Sequence, residues 1–466
     1  MRNALAISLA LALTPLAPTS VQADEVDDLV TAEMARSSTP GLAIAVIDGG
    51  RIVRAQGYGL ANVEHGAAVH ADSLFKTGAT GMQFTAAAIM LLVEDGAIEL
   101  DAPVSRYLSG TPDKWRAVTV RQLLDHTSGL PATPNGDFRA DYTNGELLAI
   151  IGAQDVNFPA GSRRRFSYAG YIVLGFVIEE VTGEHWAGFV RRRIFAPLGM
   201  RSARGIDEMA IIPNRAAGYE WRDSGLRNAE WIAQTANSTA DGSLYLSALD
   251  YAIWAQAVSR RELLGARSWE KLARSAALAD GAACPHVPGW SVAGADDRLV
   301  WSQSGNWQGF VAHTLRFPAL DLSVAVYANG ERADVQGVAR ALAGLTVPAL
   351  ASSPASPQAE GDPDQLANAR MVIEAVAAGR VNPEDFVDFA ILDLTELAAQ
   401  YNGMLAGAGP LLEFALFDSA TICGERQERY RARFPDGMFE LRLGLDPSGR
   451  IGNLELVPVV NWTDPL

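Results

Sequence analysis

Two pairs of β-rich runs lie near opposite ends of one long region of this 466-residue chain. The first pair, GLAIAVIDGGRIVRAQGYG (41–59), surrounds Asp48-Gly49-Gly50 and predicts a hairpin. The second pair, GFVAHTLRFPALDLSVAVYANG (309–330), is interrupted by Pro318 and predicts two further strands. Most of the sequence between them has a helical pattern. The arrangement predicts an α+β fold in which both ends of the region build one antiparallel sheet, with a helical subdomain in between.

A segment rich in Pro, Ser and Asp, residues 350–365, predicts a linker between a domain at 24–349 and a smaller domain at 366–466. The smaller domain begins with helical runs near 366–379 and 394–406. Four strand-like runs follow, LLEFALFD, RYRARF, FELRLGLD and IGNLELVPV, with turn residues at Asp436-Gly437 and Pro447-Ser448-Gly449. This pattern predicts helices packed on a curved antiparallel sheet.

Residues 1–23 have the pattern of a signal peptide, with Arg2, the apolar run ALAISLALAL and the small-residue site Val21-Gln22-Ala23. An N-terminal anchor helix is the less favoured alternative, because Pro15 and Pro18 interrupt a short apolar run. No later run reaches transmembrane length, so we expect a periplasmic or secreted protein without a membrane span. The net charge of −16 argues against nucleic acid as a partner.

The chain has two cysteines, Cys284 and Cys423, which fall in different predicted domains. They could form one disulfide in an exported protein, but two separate buried thiols are the favoured interpretation. The six histidines are scattered without a metal-ligand spacing. We therefore expect neither a metal nor another cofactor.

Five segments carry a family resemblance that covers about residues 27 to 346. Together they resemble the serine beta-lactamase and penicillin-binding-protein family, in its class C, esterase and D-aminopeptidase branch. The resemblance implies a beta-lactamase-like domain. The segments are VTVRQLLDHTSGLP (118–131), GYIVLGFVIEEVTG (170–183), IFAPLGM (194–200), GSLYLSALDYAIWAQAV (242–258) and SGNWQGFVA (304–312).

The first catalytic motif of that family pairs a serine with a lysine three residues later. Ser73 and Lys76 have this spacing, but they precede the predicted helix and lie in an extended stretch, where residues three apart face opposite sides. Aligned without a gap, SLFKTGATGMQFTAAAI places the nucleophile position on Ala79 and the lysine position on Met82. The helix start also suits a nucleophile, because free backbone N–H groups favour negative charge there. We therefore interpret Ser73 as a surface or strand-edge serine and Lys76 as a solvated lysine.

The second and third motifs have changed as well. The family's Tyr-Ser-Asn falls on Phe166, Ser167 and Tyr168 without a gap; a two-residue deletion would instead leave Tyr168 as the family tyrosine. The ungapped alignment is preferred, because it keeps the spacing to the following helix. The third motif, Lys or His, any residue, then Gly, reads Gln303-Ser304-Gly305.

The resemblance implies acyl transfer through a serine ester, which Ala79 cannot form and in which Met82 and Phe166 cannot move a proton. Met fills the volume of a lysine without burying an unpaired charge. We therefore interpret the site as a catalytically inactive remnant, re-lined as an apolar pocket. The first hypothesis is an exported pseudoenzyme that binds a small molecule, a peptide or a protein partner.

Further residues are candidates for lining the pocket. Thr80, Ser167, Ser302 and Ser304 carry hydroxyl groups and would be nucleophiles in a second hypothesis, an active serine hydrolase with a displaced nucleophile. Trp307 is a candidate wall. Arg163, with Arg164 and Arg165, would attract carboxylates at the rim, although a solvated face is favoured.

The C-terminal domain resembles the cystatin-like or nuclear-transport-factor-2-like cone fold. That resemblance implies a ligand site or a homodimer contact, and the residues do not distinguish the two. A third hypothesis is therefore an assembly protein that acts through this domain.

Overall fold

The computed structural model describes residues 21–459, apart from 223–224, 275, 282, 294–298, 352–362, 388–393, 406 and 436. Residues 1–20 of the predicted signal peptide, most of the predicted linker and Asp436 of a predicted turn lie outside the described residues. Positions 21–23 belong to the first helix, Val21–Ser37.

The strands and helices follow in chain order. The strands are β1 Gly41–Asp48, β2 Arg51–Asn62, β3 Ala67–Ala68, β4 Phe75–Lys76, β5 Arg204–Gly205, β6 Tyr219–Arg222, β7 Gly225–Asn228, β8 Leu244–Leu246, β9 Ala276–Ala277, β10 Ala283–Cys284, β11 Ser291–Ala293, β12 Val300–Trp307, β13 Phe310–Phe317, β14 Leu322–Ala328, β15 Glu413–Ile422, β16 Glu425–Phe434, β17 Gly437–Leu445 and β18 Ile451–Val459. The helices are α1 Val21–Ser37, α2 Met82–Glu94, α3 Val120–Leu124, α4 Asn144–Ala153, α5 Tyr168–Thr182, α6 Trp186–Val190, α7 Ala196–Leu198, α8 Ala248–Ser259, α9 Ala266–Leu272, α10 Val335–Thr346, α11 Pro363–Ala377 and α12 Leu394–Leu405. Short 3-10 or π segments lie at Gly78–Gly81, Val104–Arg106, Asp113–Trp115, Arg191–Phe195, Pro318–Leu320, Pro348–Leu350 and Pro383–Asp385.

The main sheet combines both predicted strand pairs in the antiparallel order β11-β12-β13-β14-β1-β2-β3. Gly49 and Gly50 have φ angles of 56° and 68°, a region that glycine enters without steric cost, and this allows the tight turn from β1 to β2. Strand β1 is buried along nearly its whole length, because helices cover both faces of the sheet. The predicted sheet from both ends of the region is confirmed.

Two hydrophobic cores lie on the two faces of this sheet. One face packs against the helical middle of the chain, where α2, α5 and α8 contribute Phe84, Tyr171 and Trp254. The other face packs against α1 and α10, which contribute Val30 and Leu342. Each interior joins residues that are far apart in sequence, so the sheet and its helices fold as one unit.

The C-terminal region has its own sheet, a meander in the order β15-β16-β17-β18. Helices α11 and α12 pack on it around Ile373, Leu397, Tyr430 and Leu441. The predicted helices and strands are therefore present, and the predicted α+β fold class is confirmed for both regions.

Cys284 and Cys423 form a disulfide, with their Cα atoms 4.6 Å apart. Cys284 ends β10, and Cys423 lies in the turn between β15 and β16. Both sulfurs lie in a small apolar cluster with Ala276 and Leu278. The interpretation as separate thiols was wrong, because the fold brings together two positions that are 139 residues apart in sequence.

No helix in the described ranges has both the length and the apolar composition needed to cross a membrane.

Candidate functional site

A 3-10 turn, Gly78–Gly81, leads directly into helix α2 and carries Ala79. Ala79 is 2% exposed and Met82 is fully buried. A Cβ atom at Gly305 of β12 would overlap the Thr77 carbonyl oxygen and lie 3.0 Å from the Ala79 nitrogen. The sheet edge therefore approaches this turn so closely that only glycine fits. No side chain caps the turn or the helix. The Thr80 and Met82 N–H groups donate to the Thr77 and Ala79 carbonyls, so the Ala79 N–H is the candidate donor to a ligand.

Ser73 and Lys76 belong to a different local network. The Ser73 hydroxyl accepts a hydrogen bond from the His70 backbone N–H at 2.9 Å. The Lys76 ammonium, 6% exposed, is bound by the Glu208 carboxylate and the Gln308 side-chain oxygen. Burial lowers the pKa of Lys76, and Glu208 opposes that shift. Lys76 is therefore buried and paired, and Ser73 is also buried, so the interpretations as a solvated lysine and a surface serine were wrong. No hydrogen bond between Ser73 and Lys76 occurs among the described residues.

Phe166, Ser167 and Tyr168 lie at the start of α5. Ser167 is the N-cap residue, and its hydroxyl accepts from the Gly170 N–H at 2.9 Å and donates to the Pro131 carbonyl at 2.6 Å. The Phe166 ring stacks on His126, with centroids 4.6 Å apart, and meets Tyr168 edge-on at 4.9 Å. The Ser167 hydroxyl thus stabilises the helix, a structural function that explains its burial.

Strand β12 presents its residues alternately to the two faces of the sheet. Gly305 faces the turn at Ala79, so Gln303, two residues earlier and 8% exposed, shares that face. Ser304 and Ser302 face the opposite side. There the Ser304 hydroxyl lies 2.8 Å from His313 Nδ1 and accepts a hydrogen bond from Gln336 of α10 at 3.1 Å.

The remaining pocket candidates lie in separate places. The Trp307 indole donates to Asn237 at 2.7 Å and meets the half-exposed ring of Phe138 edge-on at 5.7 Å. The Thr80 hydroxyl donates to the Thr77 carbonyl at 2.8 Å. Arg163 lies over the Phe158 ring at 5.6 Å.

Asp241 is a site residue that sequence reasoning missed. It lies beside Gly242, where a Cβ atom would lie 3.2 Å from the Ala79 Cα, so its backbone runs along the start of α2. Its carboxylate accepts the Thr239 hydroxyl at 2.6 Å, and burial raises its pKa to about 6. Burial and then the charge of Asp241 raise the pKa of Tyr168 to about 12. Asp241 directly precedes the segment at 242–258, and this adjacency was the only available signal.

A family model described as "Beta-lactamase" matches residues 26–347. The chain belongs to the beta-lactamase family.

Relatives and solved structures agree with this membership. Penicillin-binding protein 4* of Bacillus subtilis is 25% identical over 294 residues, which cover 59% of this chain and 64% of that protein. The chain spans about half to two-thirds of the length of the first curated relatives it matches. An octameric penicillin-binding protein homologue from Pyrococcus abyssi superposes with a TM-score of 0.61 at 21% identity, covering 94% of this chain and 98% of the other. A D-stereospecific amidohydrolase from Streptomyces superposes with a TM-score of 0.56 at 22% identity, covering 69% of this chain and 98% of the other. The two structural likenesses establish the fold.

In this beta-lactamase-family protein the arginines before the second motif face the C-terminal region. Arg163, Arg164 and Arg165 are half-buried. Burial raises the pKa of Glu425, at the start of β16, and the three guanidinium groups oppose that shift. The disulfide from Cys423 joins the two regions beside this contact. The expected solvated face was wrong, because the three arginines are half-buried and Arg165 lies close to Gly452 of the C-terminal region.

Proposed function

We propose that this member of the beta-lactamase family is an exported pseudoenzyme, which binds a small molecule, a peptide or a protein partner in the remnant of its catalytic cleft. In the ungapped alignment, the nucleophile position is occupied by the methyl group of Ala79. The position of that methyl group, at the start of α2 and against Gly305, is the observation that carries the proposal.

The neighbouring side chains support inactivity. Met82, one helical turn after Ala79, has no proton to transfer, and Gln303 on the facing strand is neutral. The Lys76 ammonium is bound by Glu208 and Gln308, so it is held in this polar network and does not replace the missing lysine at position 82. In a comparable hydrolase, loss of the nucleophile alone reduces turnover by roughly a millionfold.

A second candidate function, a hydrolase with a displaced nucleophile, is favoured by the hydrogen bond between Ser304 and His313. Two observations weaken it. Ser304 faces away from the backbone donors at Ala79, and burial lowers the pKa of His313 to about 3, which makes this histidine a poor base.

Covalent labelling tests the proposal. We expect the purified mature protein neither to hydrolyse nitrocefin or p-nitrophenyl esters nor to react with fluorescent penicillin or a fluorophosphonate, because Ala79 occupies the nucleophile position in the ungapped alignment. An active serine beta-lactamase serves as the positive control. Labelling of any serine, located by mass spectrometry, would contradict inactivity. Loss of that label in Ser304→Ala would establish the displaced-nucleophile function instead.

A further inference from the structure

Asp241 lies in a segment whose backbone packs against the turn that leads into α2, where the family alignment has lost both the serine and the lysine. Asp241 lies in a turn closed by a hydrogen bond from Ser243 N to the Thr239 carbonyl at 3.2 Å. Two further bonds fix the turn against the start of α2. Thr85 Oγ1 donates to the Ala240 carbonyl, and Thr77 Oγ1 donates to the Gly242 carbonyl, each at 2.6 Å. The backbone on both sides of Asp241 is therefore fixed against the start of α2.

The Asp241 carboxylate lacks a counter-charge. The carboxylate accepts a hydrogen bond from the neutral Thr239 hydroxyl, and no ion pair to it occurs within the described part of the chain. The side chain is half-buried, and burial is the main cause of its raised pKa. A partly buried carboxylate without a cation is costly in free energy, and such groups concentrate at binding sites.

Aromatic side chains lie near Asp241 or near the segment that carries it. Burial and then the charge of Asp241 raise the pKa of Tyr168, so the two groups are within electrostatic reach of each other. Asn237, four residues before Asp241 in the same segment, accepts the indole N–H of Trp307. Phe138 packs edge-on against Trp307 and is 45% exposed, so it is accessible to a ligand. A carboxylate together with aromatic rings is the combination that recognises ammonium groups.

We propose that the remnant cleft binds its ligand through an ammonium group, with Asp241 as the counter-ion and aromatic side chains, Tyr168 and Trp307, around an attached hydrophobic group. This inference rests on the proposed function, since it names the ligand chemistry of the same cleft. The N-terminus of α2 carries roughly half a positive charge from the helix dipole and would repel a bound cation. The full negative charge of the carboxylate outweighs this repulsion. A ligand carboxylate would be repelled by Asp241.

The test compares two probes of similar size and opposite charge, phenethylammonium and 3-phenylpropionate, by isothermal titration calorimetry on the full mature chain. We expect phenethylammonium to bind at least about tenfold more tightly than 3-phenylpropionate. In Asp241→Asn, which keeps the side-chain shape, the affinity for phenethylammonium should fall about tenfold or more. Asp155→Asn is the matched control, because Asp155 is fully exposed and belongs to the loop after α4. The control should bind phenethylammonium with an affinity within about twofold of that of the wild type.

Three outcomes would overturn the inference: equal or tighter binding of 3-phenylpropionate, unchanged amine affinity in Asp241→Asn, or no binding of either probe up to about 10 mM. Circular dichroism on each variant verifies folding. The labelling experiment remains independent of these outcomes. If the protein is not acylated and does not bind amines, the proposed inactivity stands and the ammonium site is contradicted. If the protein is acylated, the proposed function itself is contradicted.

Discussion

Single side chains in this protein are explained by their partners more than by their spacing. Lys76 follows Ser73 at the interval of a catalytic pair, yet its ammonium is bound by Glu208 and Gln308. Ser167 keeps the identity of a motif residue and caps a helix. Asp241 shows the opposite case, since no motif includes it, its segment packs against the turn at Ala79, and its carboxylate has no ion pair within the described ranges.

Asp241→Asn should make the protein more stable at neutral pH. The pKa of Asp241 is raised in the folded protein to about 6, so folding favours the protonated form, and this contribution to stability is lost as the pH rises through about 6. Near pH 7.5 the variant should gain up to about 3 kcal/mol in its free energy of unfolding, whereas near pH 4 the two proteins should be equal. Urea denaturation at both pH values measures the difference.

A loss of stability in Asp241→Asn near pH 7.5 would show that the carboxylate has a partner that supports folding. The Asp155→Asn control should not differ from the wild type at either pH, because an exposed carboxylate has little to gain from neutralisation.

At the scale of elements, short-range patterns predicted the structure well and long-range pairings were not accessible. The turn at Asp48-Gly49-Gly50 and the four C-terminal strands were predicted from alternating apolar residues and turn formers, which act over a few residues. The disulfide, the partial burial of Arg163–Arg165 and the burial of Lys76 depend on segments that come into contact only in the folded chain. Residue type alone does not encode such long-range contacts. For this reason the interpretations as separate thiols, a solvated arginine face and a solvated lysine were wrong.

Replacing both cysteines, Cys284→Ser with Cys423→Ser, should lower the free energy of unfolding by about 2–4 kcal/mol. The reason is that the bond closes a loop across 139 residues and restricts the unfolded chain. Urea denaturation without reductant measures the loss, and the wild type in reductant should match the variant. Two thiols that titrate with a thiol reagent in the oxidised, denatured wild type would contradict the disulfide.

At the scale of the whole molecule, the beta-lactamase-like region and the C-terminal region are joined by the disulfide, and Glu425 is within electrostatic reach of three arginines of the other region. The fold of each region could be predicted from the sequence, together with the resemblance that suggested an inactive site. The way the two regions meet could not, because the disulfide and its apolar cluster join positions far apart in sequence, and the charged residues near them would suit an exposed surface equally well.

The third hypothesis, an assembly protein that acts through its C-terminal region, predicts a homodimer that depends on this region. A chain that ends at residue 350 and carries Cys284→Ser should have the mass of a monomer by light scattering, because the contact surface is removed. The matched control is the full chain with Cys284→Ser and Cys423→Ser, which should remain a dimer. Equal masses for the two proteins would contradict a dimer contact in this region.

The sulfur–sulfur bond at Cys284 and Cys423 also matters for anyone who prepares the protein. Recombinant production in a reducing cytosol keeps thiols apart, so such material lacks the covalent tie beside the second motif. Its hairpin would then be held against the arginines by noncovalent contacts alone. Batches from the cytosol and from an oxidising compartment should therefore be treated as two different samples.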